Sequence, residues 1–231
     1  MSNTKDKIIF WLDAEPTHYC LSYYLQNKVN CELFAIIDIT NKPKKFFKQQ
    51  ELVKFEKVWF YHDCIKRNYK VKDLNYLSSF EKKYNIDLWQ IVCNDRIFQQ
   101  YNDYYKFDRD EILAILEQEC KLFEDILNSI NPDCFITPEN TYRHHHLFYE
   151  MCKKLGVRVL ILNIANIGNL CYISEKRHYL DFAVNLNDIQ GNNRDFSQLR
   201  NYLQNYTIAK KHKISKEIIS SNLCSKRILL P

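Results

Sequence analysis

Residues 7–13 read KIIFWLD, residues 32–39 ELFAIIDI and residues 57–61 KVWFY, three short and nearly unbroken apolar runs at the start of the chain. Runs of this length and continuity predict strands buried on both faces, as in a parallel sheet. Between the first two, Pro16 ends the run and Thr17 is placed to cap a helix through Tyr19, Tyr23, Tyr24 and Val29. Between the second and third, residues 42–55 predict a further helix that opens on KPKKFFK. Three strands joined by helices make a βαβαβ beginning.

The same alternation returns later in the chain. Leu113, Leu116, Cys120, Phe123, Leu127 and Ile130 recur at three- and four-residue spacing, one apolar stripe of a helix over 108–130. Asp108 and Glu111 have capping-box spacing at its start, and Asn131-Pro132 ends it. Residues 133–137 (DCFIT) predict a strand and Pro138–Thr141 a turn into a helix that runs to Leu155. Gly156 serves as its C-terminal cap, and residues 157–163 (VRVLILN) predict another buried strand. Residues 73–84 predict an amphipathic helix, whereas residues 87–93 (DLWQIVC) fit a short strand or a packed turn. Shorter apolar runs follow at 170–173 and 180–184. The expected fold is α/β: a Rossmann-like open parallel sheet flanked by helices, with a helical insertion in the middle.

Composition narrows the function. The 231 residues are 46% hydrophobic and 14% aromatic, enough for a packed core. A formal net charge of +5 is too mild for a dedicated nucleic-acid binder. No apolar run reaches the roughly 20 residues of a membrane span, and the first residues lack the pattern of a signal peptide. Nine widely spaced cysteines without a CxxC pair read as buried thiols in a reducing cytoplasm rather than as a disulfide framework or zinc site. Only three glycines occur, Gly156, Gly168 and Gly191, so neither a Walker loop nor a GxGxxG turn is present. This chain is expected to hold no cofactor and no metal.

In an open parallel sheet, ligands bind beyond the carboxyl ends of the strands. The polar residues that follow the expected strands are Asp13 and Glu15, Asp38 and Thr40, His62 and Asp63, Glu139 and Asn140, and Asn163, Asn166 and Asn169. Carboxylates and an imidazole can deprotonate a hydroxyl, and amides can hold its neighbours, so such a rim suits a hydroxyl-rich ligand. Glu15, Asp13 and His62 are the catalytic candidates. Asp63, Glu139, Asn140, Arg143, Asn166 and Asn169 are the substrate-binding ones, Arg143 because a cation at a helix start reaches an anionic group. Each also has a plainer role: a turn at Asp13, a helix start at Glu15 or Glu139, a strand end at His62, a cap at Asp63. Arg143 opens the run Arg143-His144-His145-His146. Neighbouring residues on a helix point apart, so three consecutive histidines make a poor metal cage. The lysines and phenylalanines of residues 42–48 read as a solvated helix start or as a surface for anionic lipid or glycan.

Phe80–Trp89 (FEKKYNIDLW) followed by Asn94–Phe98 (NDRIF) resembles a segment of capsule and surface polysaccharide biosynthesis glycosyltransferases. Ile130-Asn131-Pro132-Asp133 and Lys154–Val159 (KLGVRV) are similar to that family's helix-to-strand steps, and Lys226–Pro231 (KRILLP) is similar to the opening strand of its second domain. The resemblance implies a GT-B enzyme whose N-terminal domain, here residues 1–206, binds the acceptor. Residues 207–231 are then a basic linker and the first strand of a missing C-terminal domain that carries the nucleotide-sugar donor. The implied partner is a glycan or lipid-linked glycan acceptor, met in the cytoplasm at or near the inner face of the membrane. A nucleotide-sugar epimerase of the same architecture, and a non-catalytic domain that binds a glycan or a protein, are the alternatives. Asp95-Arg96 is expected to be an ion pair pinning the insertion to the sheet, or else a part of the interdomain cleft.

Overall fold

The computed structural model describes residues 5–66, 73–99, 104–139, 142–164 and 171–176. All belong to one compact unit, Met1–Phe182. The run at 180–184, the boundary at 206/207 and the segment 207–231 lie outside the described residues, as do Asn140, Asn166 and Asn169.

The apolar runs form the strands β1 (Asp6–Leu12), β2 (Cys31–Ile37), β3 (Phe55–Phe60), β4 (Cys134–Thr137), β5 (Arg158–Ile164) and β6 (Cys171–Ser174). They make one sheet in the order β3-β2-β1-β4-β5-β6. The first five strands run parallel, with Ile8 opposite Leu33 on one side of β1 and opposite Cys134 on the other. β6 pairs antiparallel with β5. The stretch 165–170 between them is shorter than a parallel crossover requires, so the chain can only double back.

Alternation along the strands divides the core. Ile8, Phe10, Leu12, Leu33, Ala35 and Ile37 face one layer with Tyr19 and Leu25 of helix α1 (Pro16–Lys28) and Phe47 of α2 (Asn41–Gln49). Ile9, Trp11, Phe34, Ile36, Phe135 and Ile161 face the other. There the sheet packs on α7 (Arg109–Ile130) and α8 (Arg143–Lys154). A continuous apolar run is what a strand covered on both sides needs, and each fully buried large side chain contributes about 1.5–3 kcal/mol.

Between β3 and α7 lies the expected helical insertion: α3 (Tyr61–Cys64), α4 (Leu74–Tyr84), α5 (Leu88–Cys93) and α6 (Arg96–Gln99). Residues 88–93 are helical, not a strand or a bare turn. Asp87 caps them by accepting from the Gln90 N–H at 2.9 Å, and Leu88, Ile91 and Val92 turn into the core. The start of α1 also differs from expectation. Glu15 holds the N-cap position and Pro16 opens the helix, so Thr17 is already inside it.

The stripe read on α7 is buried along its whole length. Asp108 and Glu111 close the capping box, with N–H···O distances of 2.7 and 3.0 Å, and Asn131 ends the helix in the left-handed region at φ 49°. Replacing Asp108 with Ala is expected to lower stability by about 1 kcal/mol. The measurement is the urea midpoint at unchanged slope, and an unmoved midpoint would show that the cap contributes nothing.

Candidate functional site

The carboxyl ends of β1, β2, β3 and β4 deliver Asp13, Asp38, His62 and Thr137–Glu139 to one edge of the sheet. The Asp38 N–H donates to the Leu12 carbonyl at 2.8 Å, so the ends of β1 and β2 are tied together.

Asp38 is the centre of this edge. Its Oδ2 meets His144 Nε2 at 2.7 Å and His145 Nε2 at 3.1 Å, and the Trp11 indole N–H points at the same atom from 3.4 Å. Its Oδ1 meets His62 Nε2 at 2.8 Å. Burial alone would raise the Asp38 pKa, but hydrogen bonds from His144, His145 and His62 outweigh it and hold the carboxyl far below its usual range. With Asp38 ionised, each Nε2 carries the proton it donates and each Nδ1 presents a lone pair. His144 and His145 are almost wholly buried, whereas the His62 side chain is 44% exposed.

The consecutive histidines converge because Asp38 lies off the first turn of α8, where two long side chains roughly 100° apart around the axis can close on one point ahead of the helix. Their rings stand edge to face at 4.8 Å, and Trp11 packs on His145 at 4.5 Å. Tyr61 stacks on His144 at 4.5 Å and 19°.

A buried charge network holds this arrangement from below. Arg143 does not reach the rim for an anionic ligand, as the sequence suggested. It turns inward at 6% exposure, gives Nε and Nη2 to Glu119 at 3.0 and 2.6 Å, pairs through Nη1 with Asp95, and lies over the Phe98 ring. The Tyr61 hydroxyl donates to the same Glu119. Burial would raise the Glu119 pKa, but attraction and hydrogen bonding from Arg143 keep it below the ordinary value, while burial and Glu119 push the Tyr61 phenol well above its own. Asp95 does pin the insertion, by pairing with Arg143 and by capping α6 through the Ile97 N–H at 2.7 Å. Its sequence neighbour Arg96 is exposed.

The other candidates from sequence separate. Asp13 is half-buried and accepts the Glu15 N–H at 2.8 Å, and the Glu15 side chain is exposed and makes no cap hydrogen bond. Asp63 is exposed and ion-paired with Lys44, whose hydrogen bond lowers the Asp63 pKa. Glu139 is half-buried just beyond β4. Asn163 turns to Ser174 across the β5–β6 pair at 3.3 Å, away from the rim.

Sequence reasoning gave no role to His18 or Thr137. Both are nine-tenths buried or more, at the first turn of α1 and at the end of β4. His18 Nδ1 and Nε2, Thr137 Oγ1 and the Nδ1 atoms of His144 and His145 have no hydrogen-bond partner among the described residues. A histidine two residues after the Pro16 helix start was the available signal.

Asp38, His144 and His145 bring ligand-type atoms within 4.8 Å of one another, the donor set of a two-histidine, one-carboxylate metal centre. A ligating imidazole gives its remaining N–H to an acceptor, and among the described residues neither Nδ1 has one. The three side chains therefore fit a hydrogen-bonded carboxylate–imidazole cluster better than a metal cage. No protein-family model matches the chain, and no curated protein matches it significantly.

Two predictions follow from the network. Burial holds His18 and His145 below their ordinary value of 6.5, against the opposing pull of Asp13 on both. The fold keeps them neutral where the unfolded chain takes up protons. Their contribution is complete above pH 6.5 and is lost as pH falls from there through the folded values. Urea titrations at pH 7, 6 and 5 should show declining stability, with a shallower decline in the His18→Phe/His145→Phe double variant; parallel slopes would refute the assignment. Arg143→Met leaves Glu119 and Asp95 buried without their cation and is expected to cost about 3–5 kcal/mol. Arg143→Lys should recover only part of this, because a lysine cannot make the two-pronged contact.

Proposed function

We propose that this chain is the acceptor-binding half of a glycosyltransferase of surface or capsular polysaccharide assembly, and that His62, oriented by Asp38, is its general base. The observation that carries the proposal is the Asp38–His62 pair at the carboxyl edge of the sheet, where one imidazole of the cluster meets solvent. His62 gives its Nε2–H to Asp38, so its Nδ1 is left to take a proton. An acceptor hydroxyl that loses its proton to Nδ1 attacks the anomeric carbon of a nucleotide sugar. The bond from that carbon to the phosphate oxygen breaks, and the nucleotide leaves with the electron pair. Asp38 remains ionised throughout and stabilises the imidazolium that forms.

Of the three catalytic candidates from sequence, His62 has the support of a partner that fixes its tautomer. Asp13 and Glu15 lie at the neighbouring strand end and serve binding in this reading. The rim lacks a glycine-rich phosphate loop, which agrees with a division of labour in which the nucleotide-sugar donor is held by another domain. No helix among the described residues is long and apolar enough to cross a membrane. We place the protein in the cytoplasm, where Lys45, Lys48 and the exposed Phe46 of α2 offer a face for the anionic surface that carries a lipid-linked acceptor.

The test uses the polypeptide encoded by the whole gene, a panel of nucleotide sugars and a lipid-linked glycan. Nucleotide release should require the acceptor; interconversion of the nucleotide sugar without it would identify an epimerase instead. His62→Asn should lower kcat by about 10²–10⁴-fold with little change in melting temperature, since the side chain is half-exposed. Undiminished turnover in this variant would remove His62 from the mechanism.

A further inference from the structure

We propose that the crevice between the ends of β1 and β4 is a subsite for an uncharged, hydroxyl-rich sugar ring, held by His18, Thr137 and His145 and bordered by Asp13 and Glu15. Strand order places it. β2 and β3 lie to one side of β1 and β4 and β5 to the other, so the connections that leave β1 and β4 diverge there and open a cleft.

The inner wall is polar and incomplete. His18 is 3% exposed, Thr137 0% and His145 3%, yet both ring nitrogens of His18, the Thr137 hydroxyl and His145 Nδ1 lack partners among the described residues. Asp13 is close enough to His18 and to His145 to act on the charge of both, and the Thr137 backbone lies beside His18 without a well-formed hydrogen bond to it. The three side chains thus surround one carboxylate at one strand end. Buried polar atoms of this kind are costly when unmade and become complete only against a polar ligand.

Their chemistry selects the ligand. A neutral imidazole offers one donor and one acceptor, and a threonine hydroxyl offers both. Neighbouring hydroxyls of a pyranose are donors and acceptors in the same alternation. An anion is opposed by Asp13, Glu15 and Asp38, while the nearest cations are engaged, Arg143 by Glu119 and Asp95, and Lys44 by Asp63. Solvent meets the site on the side of Glu15, Asp13 and Glu139.

The transfer reading enters only in identifying the bound sugar as the acceptor; the subsite itself is tested by binding. The full chain, labelled with ¹⁵N in its histidine rings, is titrated with methyl glucoside and, separately, with methyl glucuronide at pH 7.5. Methyl glucoside should shift the ring resonances of His18 and His145, identified from the His18→Phe and His145→Phe variants. The glucuronide should bind about tenfold more weakly because of the flanking carboxylates. Thr137→Val, which removes only the hydroxyl, should weaken methyl glucoside binding by about two- to tenfold while leaving the melting temperature unchanged or higher. Absence of any shift, or equal binding in Thr137→Val, would mean that these atoms are satisfied by buried water and that no subsite exists. Equal or tighter binding of the glucuronide would overturn the choice of an uncharged sugar. Sugar binding in a protein that transfers nothing would leave the subsite standing and remove the transfer reading alone.

Discussion

β1 is hydrogen-bonded along both edges and covered on both faces, and this single condition sets the rest of the structure. A strand with no free edge and no wet face can carry only apolar residues within the sheet, so polar chemistry is displaced to its ends. At the carboxyl end, Asp13 follows Leu12 directly, and the flanking strands deliver Asp38 and Thr137 beside it. The polar edge is therefore a consequence of sheet topology. It needs no loop longer than a few residues to assemble it.

The edge is rigid because its charges are matched in depth. Glu119 projects from an apolar helix at zero exposure, a position tolerable only with a cation and further hydrogen bonds. Arg143 supplies the cation and Tyr61 a hydroxyl. These two residues immediately precede His144 and His62 in the chain, so the network that neutralises Glu119 also fixes two of the imidazoles on Asp38. Hydrophobic replacement of such a triad can preserve stability in a protein, but here it would release the rings stacked above it. The buried charges are better understood as fixing geometry than as adding stability.

Much of the fold was legible because buried parallel strands and a 22-residue amphipathic helix leave strong periodic signals. The segment 88–93 was not, since a short apolar run has no period long enough to separate helix from strand; the Asp87 cap was the deciding feature. The candidate site was legible by address only. Asp38 and His62 were placed on the rim by topology, but their partners lie at positions 144 and 145, more than a hundred residues along the chain from Asp38. The rule that neighbouring helix residues diverge set those partners aside, and it fails at a first turn facing a common acceptor. Arg143 was misread for a related reason. Leu116, Glu119 and Phe123 share a helical spacing, so Glu119 already marked a buried carboxylate in need of a cation within the core.

The two helices that begin nearest the β1–β4 cleft sharpen the contrast with a dinucleotide-binding fold. Such folds use a glycine turn and bare helix amides at this point to receive phosphate. Here α1 opens on Glu15-Pro16: the glutamate places negative charge at the positive end of the helix, and the proline removes an amide donor. α8 opens with His144 and His145 already committed to the Asp38 carboxylate, so its first turn meets an internal anion. Both helix starts are thereby unsuited to phosphate. The polar atoms left around them are imidazole nitrogens and a threonine hydroxyl, groups whose natural complements are other hydroxyls. The same sheet order that elsewhere serves nucleotides has here been fitted, by the residues at two helix starts, with an edge for uncharged polar ligands.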